Sequence, residues 1–129
     1  RLGLGARIAE VFEPEQMLPA AGQGALGLEL RTGRDDVQHW LAPLVHAPTQ
    51  WAVAAERAVS RAMGGSCSMP LAAFALWQGD ALWLRAAWGQ VEGPVQLVRA
   101  EGRAAIQTED QASALGDQVA AALRAQGAQ

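Results

Sequence analysis

Cys67 is the only cysteine among 129 residues. It stands in Gly64-Gly65-Ser66-Cys67-Ser68-Met69-Pro70, between a helical pattern and a strand pattern. A lone thiol forms no internal disulfide and has no cysteine partner for a zinc cage. Its glycine, serine and proline neighbours predict an accessible loop rather than a core position. One reading is a thiolate nucleophile. It is opposed by position, because the residue follows a helix C-terminus whose partial negative charge disfavours the thiolate. Arg57 and Arg61, earlier on the same helix, offset this only in part. His39 and His46 are the only histidines, and neither forms a triad pattern with Cys67. The three residues also lack metal-ligand spacing, so no metal site is expected. A third reading is a covalent anchor: a thioether needs a reachable sulfur but no standing thiolate. The fourth is an inert surface thiol.

Gly22-Gln23-Gly24-Ala25-Leu26-Gly27 matches the dinucleotide pattern G-x-G-x-x-G. That pattern works when it follows a strand and opens a helix, whose N-terminus holds the pyrophosphate. Here it precedes a strand pattern, so what remains is a glycine-permitted turn close to a ligand. The basic residues are all arginine, which excludes a Schiff-base or P-loop lysine within this chain. Asp35, Asp36, Asp80, Asp110 and Asp117 read as caps, turns or surface, and no catalytic acid is assigned.

Half of the residues are apolar, and the net charge is −3. That suffices for a core and gives no electrostatic case for nucleic acid or an anionic membrane. No apolar run approaches the ~20 residues of a membrane span. The chain opens on Arg1, within a helical pattern and without an initiator Met, and reads as a piece of a longer protein. The unpaired cysteine fits a cytoplasmic setting.

The elements that must position these residues follow from periodicity. Arg1 to Phe12 reads as a helix tail, stopped at Pro14. Leu18 to Gly24 is loop, and Ala25 to Arg31 alternates as a strand with no partner nearby in sequence. Thr32 to Asp36 is a polar break. The expected division is therefore 1–33, a remnant of an α/β domain with its return strand, and 34–129, a complete domain. In the latter, Val37, Trp40, Leu41, Leu44 and Val45 follow helical spacing behind Asp36 as N-cap, with a stop or kink at Pro43. Thr49 caps a helix over 50–63 whose stripe is Trp51, Ala55, Ala58, Val59 and Ala62, ended by Gly64. Strands are expected over 71–78, 81–88 and 95–102, the first two joined by a primed turn at Gly79-Asp80. Thr108 to Gln111 is a capping box for a helix over 109–125. This is an α+β fold, a three-stranded antiparallel sheet covered by helices on one face. Trp77, Trp83 and Trp88 on the hairpin suit packing between helix and sheet better than a ring-lined ligand site.

Four pieces carry a family resemblance: Arg1-Leu2-Gly3-Leu4, Leu18 to Glu29, Ala55-Glu56-Arg57-Ala58, and Gly65-Ser66-Cys67-Ser68-Met69-Pro70-Leu71. Their order and spacing resemble the C-terminal portion of porphobilinogen deaminase (hydroxymethylbilane synthase), a transferase of tetrapyrrole and heme biosynthesis. Ser66 departs from the pattern, since the family more often has two glycines directly before its cysteine. The resemblance implies that Cys67 holds a dipyrromethane cofactor through a thioether. It implies that four porphobilinogen units are added with loss of ammonia to give hydroxymethylbilane. Arg1 is implied to bind substrate carboxylates, and Gln23 to face the cleft. The proton-handling aspartate would lie in N-terminal sequence absent here, so this chain alone is expected to be inactive and free of cofactor, and the full-length enzyme to be monomeric. The competing reading from another class is a non-catalytic α+β interaction or ligand-sensing module with an incidental cysteine.

Overall fold

Gly79 is the pivot of the sheet. Its φ of +60° is the left-handed value that a primed two-residue turn demands and that glycine adopts without strain. The turn pairs Gln78 with Ala81 and sets the register of β1 (Leu71–Gln78) against β2 (Ala81–Gly89), antiparallel throughout. β3 (Leu97–Ala105) pairs with the other side of β2, giving the order β1-β2-β3. The computed structural model describes residues 2–66, 68–90 and 96–128. The expected sheet and its antiparallel pairing are present. β3 is displaced from the expected 95–102, because it runs on to place Ala105 opposite Ala81, so that its pairing matches the full length of β2. Val95 lies outside the described residues.

Three α-helices accompany the sheet: α1 (Asp35–Leu41), α2 (Ala47–Ala62) and α3 (Glu109–Ala125). α3 starts as its sequence predicts, with Thr108 Oγ1 accepting from the Gln111 amide. The Gln111 side chain reaches back one residue further than a standard box, to the Gln107 amide. α2 begins before the expected residue 50. Pro48 fits the first turn, where its missing N–H is no loss, and the residue before the helix is His46 rather than Thr49. The Thr49 hydroxyl instead meets His46 Nδ1 at 2.8 Å.

Strand alternation sends Ala73, Ala75, Leu82, Leu84, Ala86 and Trp88 toward α2 and α3. Trp88 is core. Trp77 is half-buried, its ring 6.1 Å from that of Trp51 and its indole N–H donated to the Pro48 carbonyl. Gly116 lets α3 lie directly on α2: a Cβ there would sit 2.4 Å from the Ala55 carbonyl oxygen and 2.5 Å from the Ala58 Cβ. Both obstacles are helix backbone or its attached methyl, so neither can swing away. Gly116→Ala is therefore expected to destabilise the fold by about 1–3 kcal/mol through overpacking. A urea titration showing unchanged stability would contradict this contact.

Residues 2–33 depart most from expectation. The helix expected over Arg1 to Phe12 is reduced to a 3₁₀ turn, Gly5–Arg7, and the strand expected over Ala25 to Arg31 is not formed. The physical reason is shared. An amphipathic helix draws its stability from burial of its apolar face, and a strand needs a paired edge. Leu2, Ile8, Val11 and Phe12 are exposed, and Leu26 is 97% exposed, with no described residue to cover them. Likewise α1 begins after Arg34 rather than at an Asp36 cap. Asp36 lies inside its first turn, held by both nitrogens of a forked Arg34 pair. Trp40 on α1 is 81% exposed.

The stretch 14–22, in contrast, is fastened to the body at three places. Glu15 pairs with Arg85 on the outer sheet face. The Pro19 carbonyl accepts from the Ala73 amide on the free edge of β1. The Gly22 amide donates to Glu56 on α2. This strap passes from one face of the sheet, around its edge, to the helix layer. It also supplies one acceptor to an edge that would otherwise present unpaired donors.

Candidate functional site

Glu56 organises the region around the cysteine loop, and its role was not legible in the sequence. It is a carboxylate only 5% exposed, on the inner face of α2. One oxygen accepts from the Gly22 amide at 2.7 Å, the other from the Ala75 amide at 2.8 Å. One side chain thus ties the strap to β1, the strand that begins four residues after Cys67. Burial pushes its carboxyl above the ordinary range, opposed by the two backbone donors. The sequence signal was its place in Ala55-Glu56-Arg57-Ala58, one of the four pieces of the family resemblance, which gave it no role.

The strap ends in the Gly22-Gln23-Gly24 turn. Gly22 and Gly24 take φ of +74° and +85°, values that side-chain-bearing residues rarely adopt. Gln23 closes the turn on itself: its amide donates to the Ala20 carbonyl, and its Oε1 accepts from the Ala20 amide. Its side chain therefore supports the turn that carries it.

From this turn an open groove of ≈ 990 Å³ runs between residues 21–28 and α2. Gly22 and Gly24 border one side, and Arg57, Ser60 and Arg61 the other. Gly65 lines it at the end nearest the cysteine loop. The structure thus brings together the Gln23 turn, two guanidinium groups one helical turn apart, and the approach to Cys67.

That approach is shaped by the end of α2. The Gly65 amide donates to the Ser60 carbonyl at 2.8 Å and the Gly64 amide to the Arg61 carbonyl, the paired bonds of a Schellman stop. Both glycines have positive φ. Ser66 and Ser68, on either side of the cysteine, are joined by an Oγ···Oγ hydrogen bond of 2.7 Å. Cys67 and Arg1, the expected anchor and carboxylate ligand, lie outside the described residues. Arg7 stands in the exposed 3₁₀ turn. His39 and His46 are exposed, and among the described residues no three His, Cys, Asp or Glu side chains cluster as metal ligands.

A dipyrromethane carries carboxylates on flat rings. The groove supplies what such a group needs: two arginines on one wall, backbone without Cβ on the other, and length along α2. The residues present fit it. Among the described residues, no helix is long and apolar enough to cross a membrane.

Comparison with known proteins agrees with the arrangement. Residues 51–125 match the family model described as porphobilinogen deaminase, C-terminal domain. Residues 1–39 match the one described as porphobilinogen deaminase, dipyromethane cofactor binding domain. The porphobilinogen deaminase of Albidiferax ferrireducens is 59% identical over 125 residues, covering 97% of this chain and 40% of that protein. That of Ralstonia nicotianae is 59% identical over 121 residues, 93% of this chain and 36% of its own length. That of Paraburkholderia phymatum is 53% identical over 128 residues, 99% of this chain and 39% of its own. The chain spans about two-fifths of the length of these relatives.

Proposed function

The chain belongs to the porphobilinogen deaminase family, and on that premise we propose that it is the cofactor-bearing part of an enzyme that joins four porphobilinogen units into hydroxymethylbilane. The observation that carries this reading is the groove that begins at the Gln23 turn, passes Arg57 and Arg61, and ends at Gly65, two residues before the single thiol. Residues 34–129 form the domain that presents the thiol, and residues 1–33 belong to a preceding one.

Cys67 is the attachment point. Its sulfur displaces ammonia from the aminomethyl carbon of a first porphobilinogen, forming a C–S bond. A second unit joins the first with loss of a second ammonia. The bound dipyrromethane supplies a terminal pyrrole carbon on which further units are added. The chain's own residues do the rest. Gly64 and Gly65 end α2 sharply, two residues before the thiol in sequence. Arg57 and Arg61, with Arg1, hold carboxylates of a growing polyanion. The forked, permanently charged guanidinium suits this better than an ammonium, which helps account for a lysine-free groove. Glu56 holds the glycine turn against α2, and Gln23 keeps the turn closed. The protein acts in the cytoplasm on a small-molecule substrate.

The two family-model matches support the chemistry from different sides. One bears the cofactor's name and covers the strap; the other covers the helix, the thiol loop and the sheet. The decisive assay is ammonia release from porphobilinogen. The full-length protein containing this chain is expected to release it steadily, and residues 1–129 alone to match a buffer blank, since the resemblance puts the proton-handling aspartate in preceding sequence rather than in this chain. Turnover by the 129-residue chain would overturn the division of labour. A silent full-length protein would favour the non-catalytic ligand-sensing module.

A further inference from the structure

The outer face of the sheet holds a side chain that the covalent-anchor reading does not use. Arg85 sits on the middle strand at the centre of that face, only 7% exposed, with Phe74 of β1 and Glu101 of β3 directly opposite. Its guanidinium lies 4.0 Å from the centre of the Trp83 ring. Nη1 donates to Glu15 Oε1 at 2.5 Å. Nε and Nη2 are closed to solvent and have no acceptor among the described residues.

Those two nitrogens form a single edge of the guanidinium. Their N–H bonds point the same way, as the parallel pair that the two oxygens of one carboxylate accept side by side. Leaving such a pair empty and buried costs free energy, more so on a cation. A cavity of ≈ 590 Å³ lies beside it, walled by Pro14, Leu18, Trp83, Arg99, Glu101 and, at the end of α3, Gln126. The volume is that of a small-molecule site. Pro14 and Leu18 offer apolar surface, while the Trp83 ring already carries the guanidinium groups of Arg85 and Arg103, 4.0 and 4.6 Å from its centre. Glu15 and Glu101 oppose any guest with more than one negative charge, while Arg85 and Arg99 favour one.

We infer that Arg85 and this cavity form a second anion site, reaching from the outer sheet face to the end of α3, that takes a small flat aromatic monocarboxylate. The guest's carboxylate occupies the Nε/Nη2 edge and its ring lies against Pro14 and Leu18 of the strap, close enough to Trp83 to alter its fluorescence. Glu15, exposed over 65% of its side chain, is the part that moves to admit it. The site does not depend on Cys67 or on any tetrapyrrole chemistry.

Benzoate is the probe, with benzamide as its uncharged match, and intrinsic tryptophan fluorescence and thermal melting as readouts. Benzoate is expected to change the fluorescence saturably and raise the melting temperature, with benzamide doing neither. Arg85→Met should abolish the response. Should that variant fail to fold, Glu15→Gln keeps Arg85 and removes the competing carboxylate, and it should bind benzoate several-fold more tightly. No benzoate response, an equal response to benzamide, or unchanged affinity in Glu15→Gln would each overturn the site.

Discussion

Cys67→Ser in the full-length protein is expected to abolish hydroxymethylbilane formation while leaving the fold intact. The loop tolerates the change, because serine nearly matches cysteine in size and the neighbouring positions 66 and 68 are already serines, bonded to each other. The α2 stop that precedes it rests on backbone bonds from Gly64 and Gly65, which the substitution does not touch. Lost turnover with an unchanged melting temperature would then report the chemistry of sulfur. A hydroxyl is a far poorer nucleophile at neutral pH, and its ether would not assemble at the same site. Full activity in the serine variant would return Cys67 to the inert thiol that composition alone allows.

Glu56→Ala is expected to be the most damaging single change to the architecture of the groove. It strands two backbone donors, those of Gly22 and Ala75, one of them buried. The cost at neutral pH is about 2–3 kcal/mol, or roughly 10 °C in melting temperature for a domain of this size. The strap also loses its hold on α2, so the full-length variant should show reduced turnover beyond any loss of folded protein. Glu56→Gln keeps one acceptor and should recover part of both.

The pH dependence distinguishes the two variants further. Burial raises the carboxyl of Glu56 in the folded chain above its ordinary value of 4.5. The native state therefore keeps a proton that the unfolded state has already released, and stability falls with rising pH in that interval. The contribution is full below about pH 4.5 and is lost as pH rises through the folded value. The stability of wild type relative to Glu56→Gln should accordingly decline from pH 4 upward and then level off. A difference that is flat, or that grows with pH, would show that the two backbone donors outweigh burial.

Local sequence rules were sufficient where local chemistry decides the structure. The Gly79-Asp80 turn, the Thr108 cap and the alternation of Leu82, Leu84, Ala86 and Trp88 each rest on near neighbours, and the hairpin and α3 follow from them. The glycine turn at Gly22 to Gly24 was legible for the same reason. Local rules failed where the partner is distant in sequence. Apolar alternation over Ala25 to Arg31 reads as a strand, yet the segment pairs with no described strand. Nothing near Glu56 announces that its two acceptors meet amides 34 residues before it and 19 after it. Arg85 drew no attention in the sequence, since an arginine on an outward strand position ordinarily lies in solvent. The strap, arriving from 70 residues away, buries it.

The central claim is that Cys67 carries a dipyrromethane, and intact mass of the purified full-length protein tests it most directly. The account predicts an excess over the sequence mass equal to two porphobilinogen units less two ammonias. That excess should map to the peptide containing Cys67 and be absent from Cys67→Ser. A full-length protein that turns over porphobilinogen while its mass equals that of the bare polypeptide would contradict the account.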